Sequence, residues 1–263
     1  MILVTGAGGK TGRAVSQALA AHGQKVRAMT RSMASMADRE AFARAAEGAR
    51  AIYHICPNVS PDEVLFGKNA IAAARTAGIK RFVYHSVLHP QIEDMPHHWN
   101  KMRVEELLFA SGLDVTILQP TAYMQNLLAN WPAIGSGVHR TPYPAATRIS
   151  LVDLGDVGEV AAKVLTEDGH AGATYELVGT PPLSQIEVAA ILSDALAHPV
   201  RVEAETIEAW RSRSGLRGPQ AETLIKMFRY YERHGLTGSP NTLRWLLGRE
   251  PTSLAAFARA AQA

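Results

Sequence analysis

Gly6, Gly9 and Gly12 recur at three-residue intervals close to the start of this chain. Before them runs the apolar Ile2, Leu3 and Val4. After them Ala14, Val15, Ala18 and Leu19 fall on one helical face, closed by Gly23. A strand, a glycine turn and a helix in this order bring backbone N–H groups and a helix N-terminus up to an anion, here the pyrophosphate of a dinucleotide. Gly9-Lys10-Thr11 also mimics the end of a P-loop, but that motif needs glycine at position 4, where Val4 continues the strand. Gly6, Gly8, Gly9, Lys10, Thr11 and Gly12 are the expected cofactor-facing residues of the loop.

About twenty residues beyond such a loop, an NAD site places Asp or Glu against the ribose 2′-hydroxyl. Here residues 29–32 read Met-Thr-Arg-Ser, with no carboxylate before Asp38. Arg31 offers instead a guanidinium fork suited to a 2′-phosphate, and Lys10 adds a second positive charge. NADP(H) is therefore expected in preference to NAD(H). His85, His89, His97 and His98 invite a metal reading, but Pro90, Pro96 and the loop-like residues 91–95 do not force three or four ligands to converge. No metal is expected. Cys56, the sole cysteine, excludes an intramolecular disulfide framework, fits a reducing cytosol, and reads as a buried inert thiol at a strand end.

Several segments carry a wider likeness: Thr5-Gly6-Ala7-Gly8-Gly9-Lys10-Thr11-Gly12, Ile52-Tyr53-His54-Ile55-Cys56-Pro57-Asn58, Arg81-Phe82-Val83-Tyr84-His85-Ser86, Gln119-Pro120-Thr121-Ala122-Tyr123-Met124 and Asp153-Leu154-Gly155-Asp156-Val157. Over almost the whole length the chain resembles the atypical short-chain dehydrogenase/reductase family and, within it, the NmrA-like proteins. The resemblance implies an α/β fold: a Rossmann-type doubly wound parallel sheet with a smaller C-terminal α/β lobe. It places an NAD(P)-binding Rossmann domain at 1–130 and a substrate or lid lobe, interleaved with the sheet, at 131–263. It also brings Cys56, Pro57, Ser86, Lys101, Pro120 and Tyr123 to the cofactor. Family members usually carry an edge strand after the second strand. Here Asp38-Arg39-Glu40-Ala41-Phe42 already reads as a helix start, so that strand is expected to be missing or vestigial.

Carbonyl-reducing members of the wider family carry Tyr-x-x-x-Lys on the helix after the strand matching 81–85, and a serine at that strand's end. The tyrosine gives a proton, and the lysine holds the nicotinamide ribose and lowers the tyrosine pKa. Ser86 and Lys101 match, but His97 stands where the tyrosine would be. His97 and Lys101 share a helix face if the helix starts at Pro96. With an ordinary imidazole pKa near neutrality His97 is one candidate proton donor, and Tyr123 is another. The resemblance implies hydride transfer from NADPH to a small-molecule acceptor, a quinone, dye or small carbonyl compound. Loss of the tyrosine also suits a non-catalytic NADP(H)-binding redox sensor acting through a regulatory protein partner. A sugar-nucleotide epimerase fits least, since it normally keeps Tyr-x-x-x-Lys. Relatives occur as monomers and as homodimers.

The elements that must hold these groups follow from periodicity. Strands are expected near 25–29, 51–56, 81–85 and 114–118, alternating with helices as parallel strands require. Ser60-Pro61-Asp62-Glu63 reads as a capping box with proline at the first helical position, and Ser184-Gln185-Ile186-Glu187 repeats the device. Beyond residue 130 short strands near 151 and 175–178 mix with helices near 154–165, 184–196 and 219–234. Leu224, Met227, Phe228 and Tyr231 share a face of the last, and such a stripe reads as core before pocket. At 263 residues, 47% hydrophobic, the chain is large enough for a sizeable core. Its net charge of +3, with Arg and Glu interleaved in the C-terminal third, argues against a nucleic-acid partner. The absence of a twenty-residue apolar window argues against a membrane. Met1 runs straight into the first strand, leaving no room for a signal peptide, so a cytoplasmic location is expected.

Overall fold

A computed structural model describes residues 1–262. The chain forms two compact units, residues 1–120 with 154–176, and residues 121–153 with those from 177 onward. The helix Leu154–Thr166 belongs to the first unit. The reason is packing. That helix buries Val157, Val160, Ala161, Val164 and Leu165, and a Cβ on Gly158 would lie 2.9 Å from Ala14 O, so the two helices meet at backbone distance.

In the first unit β1 (Ile2–Thr5), β2 (Val26–Met29), β3 (Ala51–His54), β4 (Arg81–His85) and β5 (Asp114–Pro120) pair in parallel. The spatial order is Thr174–Leu177, β5, β4, β3, β1, β2. The reversal from β1 to β3 is the switch point of a doubly wound sheet. α1 (Lys10–Ala21), α2 (Arg39–Ala46), α3 (Glu63–Thr76) and α4 (Pro96–Phe109) are the crossovers. Helices on both faces explain why β1 and β3 are buried at every residue instead of alternating. Leu3, Ile52, Phe82 and Ile117 of the sheet pack with Phe42, Ala70, Val104 and Leu108 of the helices. Each fully buried Phe or Leu is worth about 1.5–3 kcal/mol. Gly67 is required where α3 meets α4, since its Cβ would sit 2.8 Å from a Val104 methyl.

β2 is the outermost strand, and residues 31–37 turn before α2. Asp38 starts that helix, accepting from Glu40 N and Ala41 N at 3.0 Å each. α3 departs from the sequence expectation: it begins at Glu63, Asp62 is its N-cap, and no capping box forms. Ser60 Oγ accepts from Asp62 N at 3.2 Å, and Glu63 turns inward.

In the second unit Ala122–Tyr123 pairs with Leu151–Val152, Val138–Thr141 with Arg201–Ala204, and Arg148–Ile149 with Leu183–Ser184. Its core gathers Met124, Ile134, Leu192, Leu254 and Phe257. The helix Gly218–His234 buries Ile225, Phe228 and Tyr231, and Leu224 and Met227 pack against the cluster that Trp210 forms with Ile225 and Phe228. The stripe read from the sequence is therefore core. At Ser184 the capping box is complete. Among the described residues no helix is long and apolar enough to cross a membrane.

Candidate dinucleotide site

The loop after β1 folds on itself because glycine allows it. Gly6 has φ +59, and a Cβ there would lie 2.9 Å from Ile55 O. A Cβ on Gly12 would come within 2.3 Å of Gly6 O, so this contact of helix and loop admits no side chain. Gly9 N donates to Gly6 O at 2.9 Å. Gly9 is also the N-cap of α1, with no side-chain cap and no acidic residue in the first turn. The first amides of α1 and its positive end are thereby left to an anion, and Gly8, Gly9 and Lys10 are exposed there. Arg13 donates to Gly8 O and adds charge beside the loop, a contributor the spacing of the glycines did not mark. Thr5 Oγ1 accepts from Ile55 N at 2.9 Å and ties the ends of β1 and β3 together. Arg31, just past β2, is exposed, and among the described residues its guanidinium has no partner. These features fit a dinucleotide pyrophosphate.

Ser86, His97 and Lys101 all lie in the first unit, at and after the end of β4, whereas Tyr123 is half-buried in a short strand of the second. Pro96 opens α4, so His97 and Lys101 stand one turn apart as the spacing predicts. Lys101 Nζ donates to Glu63 Oε1 at 3.0 Å and to His85 O at 3.1 Å. It also lies 5.3 Å from the centre of the Tyr84 ring. The Tyr84 hydroxyl donates to the same Glu63 oxygen at 2.8 Å, and burial, then the Glu63 charge, hold that phenol well above its ordinary pKa. Ser86 is buried, and its hydroxyl donates to Glu105. Gln119 Nε2 reaches both Glu105 oxygens at 3.0 and 3.1 Å, and desolvation raises the Glu105 pKa. The single hydroxyl proton of Ser86 is thus committed to Glu105.

His97 departs from the ordinary imidazole pKa. Burial, then His98 and Lys101, push its pKa down to about 3, so at neutral pH it is an uncharged imidazole. Its Nδ1 is buried without a hydrogen-bond partner, and its ring meets His98 edge-on at 4.5 Å. His98 donates to His89 O at 3.1 Å, and His85 Nδ1 lies 2.5 Å from the Tyr53 hydroxyl. Among the described residues no three His, Cys, Asp or Glu are placed to hold a metal. Cys56 is buried, and desolvation, followed by Glu63, pushes its thiol pKa up, away from the reactive thiolate. Pro57 is half-buried, and Pro120 is buried with its carbonyl accepting from Leu88 N at 2.9 Å.

Sequence reasoning passed over Glu63, Tyr84, Glu105 and Gln119. Two of them left a trace. Glu105 follows Lys101 by one helical turn, and Tyr84 precedes Ser86 at the two-residue period of a strand. Glu63 left none, because its local pattern pointed to a cap.

The sequence model of the NmrA-like family matches residues 1–258. The NAD(P)H azoreductase of Xenophilus azovorans is 33% identical over 222 residues, covering 81% of this chain and 76% of the relative. Quinone oxidoreductase 2 of Escherichia coli is 30% identical over 248 residues, covering 92% and 84%. The crystal structure of the E. coli NADPH-dependent quinone oxidoreductase complexed with NADPH matches the whole of both chains with a TM-score of 0.85 at 26% identity.

Proposed function

The chain belongs to the NmrA-like family, and from that premise we propose an NADPH-dependent reductase of quinones, dyes or small carbonyl compounds. The observation that carries this reading is the common placement of the candidate groups. The glycine loop follows β1, Arg31 follows β2, Cys56 and Pro57 follow β3, and Ser86 follows β4. In an open parallel sheet ligands bind outside the carboxyl ends of the strands, near the switch point. The amides of the loop and of the first turn of α1 hold the pyrophosphate. Arg31, with Lys10, takes the 2′-phosphate, and the missing carboxylate after β2 removes what would repel it. Lys101 presents an N–H to the nicotinamide ribose. The bound dinucleotide supplies a hydride.

The proton chemistry favours acceptors that need little help. The Ser86 hydroxyl donates its hydrogen bond to Glu105, and burial pushes the His97 pKa down to about 3. A quinone or a dye tolerates a weak donor because solvent protonates its reduced oxyanion. The relatives that reduce azo compounds and quinones support this preference.

NADPH oxidation against a panel of quinones, dyes and aldehydes tests the reading. Lys101→Ala is expected to lower turnover about 10- to 100-fold, the worth of a hydrogen bond to a charged group. Arg31→Ala is expected to cut the preference for NADPH over NADH about tenfold on the same grounds. No turnover across the panel, together with tight NADPH binding, would replace the reductase with a cofactor sensor that acts through a protein partner.

A further inference from the structure

Resting on that reading, we propose that Glu63 is the positioning residue for Lys101, holding its ammonium so that one N–H is aimed at the nicotinamide ribose. An ammonium has three donors. Glu63 Oε1 and His85 O take two, at 3.0 and 3.1 Å, from two different elements, the start of α3 and the end of β4. Two fixed anchors leave the third N–H a defined direction.

Glu63 is suited to the task in three ways. Its side chain is only 4% exposed and that of Lys101 13%, so the pair is little screened by water. It stands at the first position of α3, where the positive end of the helix favours a carboxylate. Its acceptor oxygen also takes the Tyr84 hydroxyl, which locks the carboxylate rotamer from the sheet side. A lysine on a four-carbon stem would otherwise swing its head towards water. Tyr84 thus acts through Glu63, and Glu63 through Lys101.

The test compares two probes in calorimetric or fluorescence titrations: NADPH, and adenosine 2′,5′-bisphosphate, which lacks the nicotinamide ribose. Glu63→Gln keeps the size and an oxygen acceptor but removes the charge. It is expected to weaken NADPH about tenfold, the loss of one charge-assisted contact, and to leave the bisphosphate unchanged. Glu63→Asp should recover part of the loss. In a Lys101→Met background, which is charge-neutral in combination with Glu63→Gln and keeps the experiment open if the single variant misfolds, Glu63→Gln should add nothing. Equal losses for both probes would make Glu63 merely structural and overturn the assignment, as would an undiminished effect without Lys101 or no effect on NADPH at all. Failure of the unmodified protein to bind either probe would overturn the cofactor reading itself, and this assignment with it.

Discussion

Ser184-Gln185-Ile186-Glu187 and Ser60-Pro61-Asp62-Glu63 present the same device, a serine followed three residues later by glutamate at the start of a helix. At the later site both halves close. Glu187 N donates to Ser184 Oγ at 3.2 Å and Ser184 N to Glu187 Oε2 at 2.7 Å, with Arg148 Nη1 at 3.2 Å from the same oxygen. At the earlier site the helix starts at Glu63 itself, after a loop in which Val59 adopts φ +50, and the carboxylate goes to Lys101 and Tyr84. The difference lies in what surrounds the glutamate. Glu187 sits at the surface, where local amides are among its few partners. Glu63 faces a nearly buried ammonium and a buried phenol. A hydrogen bond to a charged group is worth about 1.5–3 kcal/mol and a cap about 1 kcal/mol, so the buried partners win. A local motif is realised only where tertiary contacts make no stronger demand on the same atoms.

The sharpest way to break this comparison is to delete the inward glutamate. Glu63→Ala is expected to cost about 3 kcal/mol in urea unfolding, because it strands a largely buried ammonium. Lys101→Met in the same chain should return most of that loss. A cost below about 1 kcal/mol would place Glu63 among ordinary caps and erase the distinction.

Acid supplies a second, smaller test. Burial pushes His54 to about 4 and His85 to about 3. The ordinary value near 6.5 applies to the unfolded chain, which therefore takes up protons first as pH falls. The stability they contribute is complete above about pH 6.5 and drains away through about pH 4 to 3. The Glu187 carboxyl pKa is lowered from its ordinary value, first by the Ser184 N–H, the opposite direction to the loss that a buried histidine brings. His54 lies among Phe42, Phe82 and Tyr84 with Nε2 unpartnered. His54→Phe should reduce the loss of stability between pH 6.5 and 4.5 by about 1–2 kcal/mol. An unchanged slope would mean that His54 is not neutral and buried in solution.

The smallest effects belong to the serines. Ser184→Ala is expected to cost about 1 kcal/mol, and Ser60→Ala to stay within about 0.5 kcal/mol. Equal costs in chemical denaturation would show that the box at residue 60 does form.

Features with local physics could be read from the residues alone. The glycine spacing marked a loop where Gly6 needs positive φ and Gly12 admits no Cβ. The apolar runs marked β1, β3, β4 and β5, Pro96 marked the start of α4, and Ser184 marked a cap that closes. Each depends on a few consecutive residues and their backbone preferences. Other features depend on what distant segments bring to the same place. The return of Leu154–Thr166 to the first unit rests on Gly158 meeting the Ala14 backbone. The Glu63–Lys101 pair joins residues 38 apart, and the Ser86–Glu105 contact residues 19 apart. The neutral charge of His97 follows from its burial and from the charges beside it. Spacing reports which groups share an element. Only packing decides which of them lose water, and a group that loses water must find a buried partner or give up its charge.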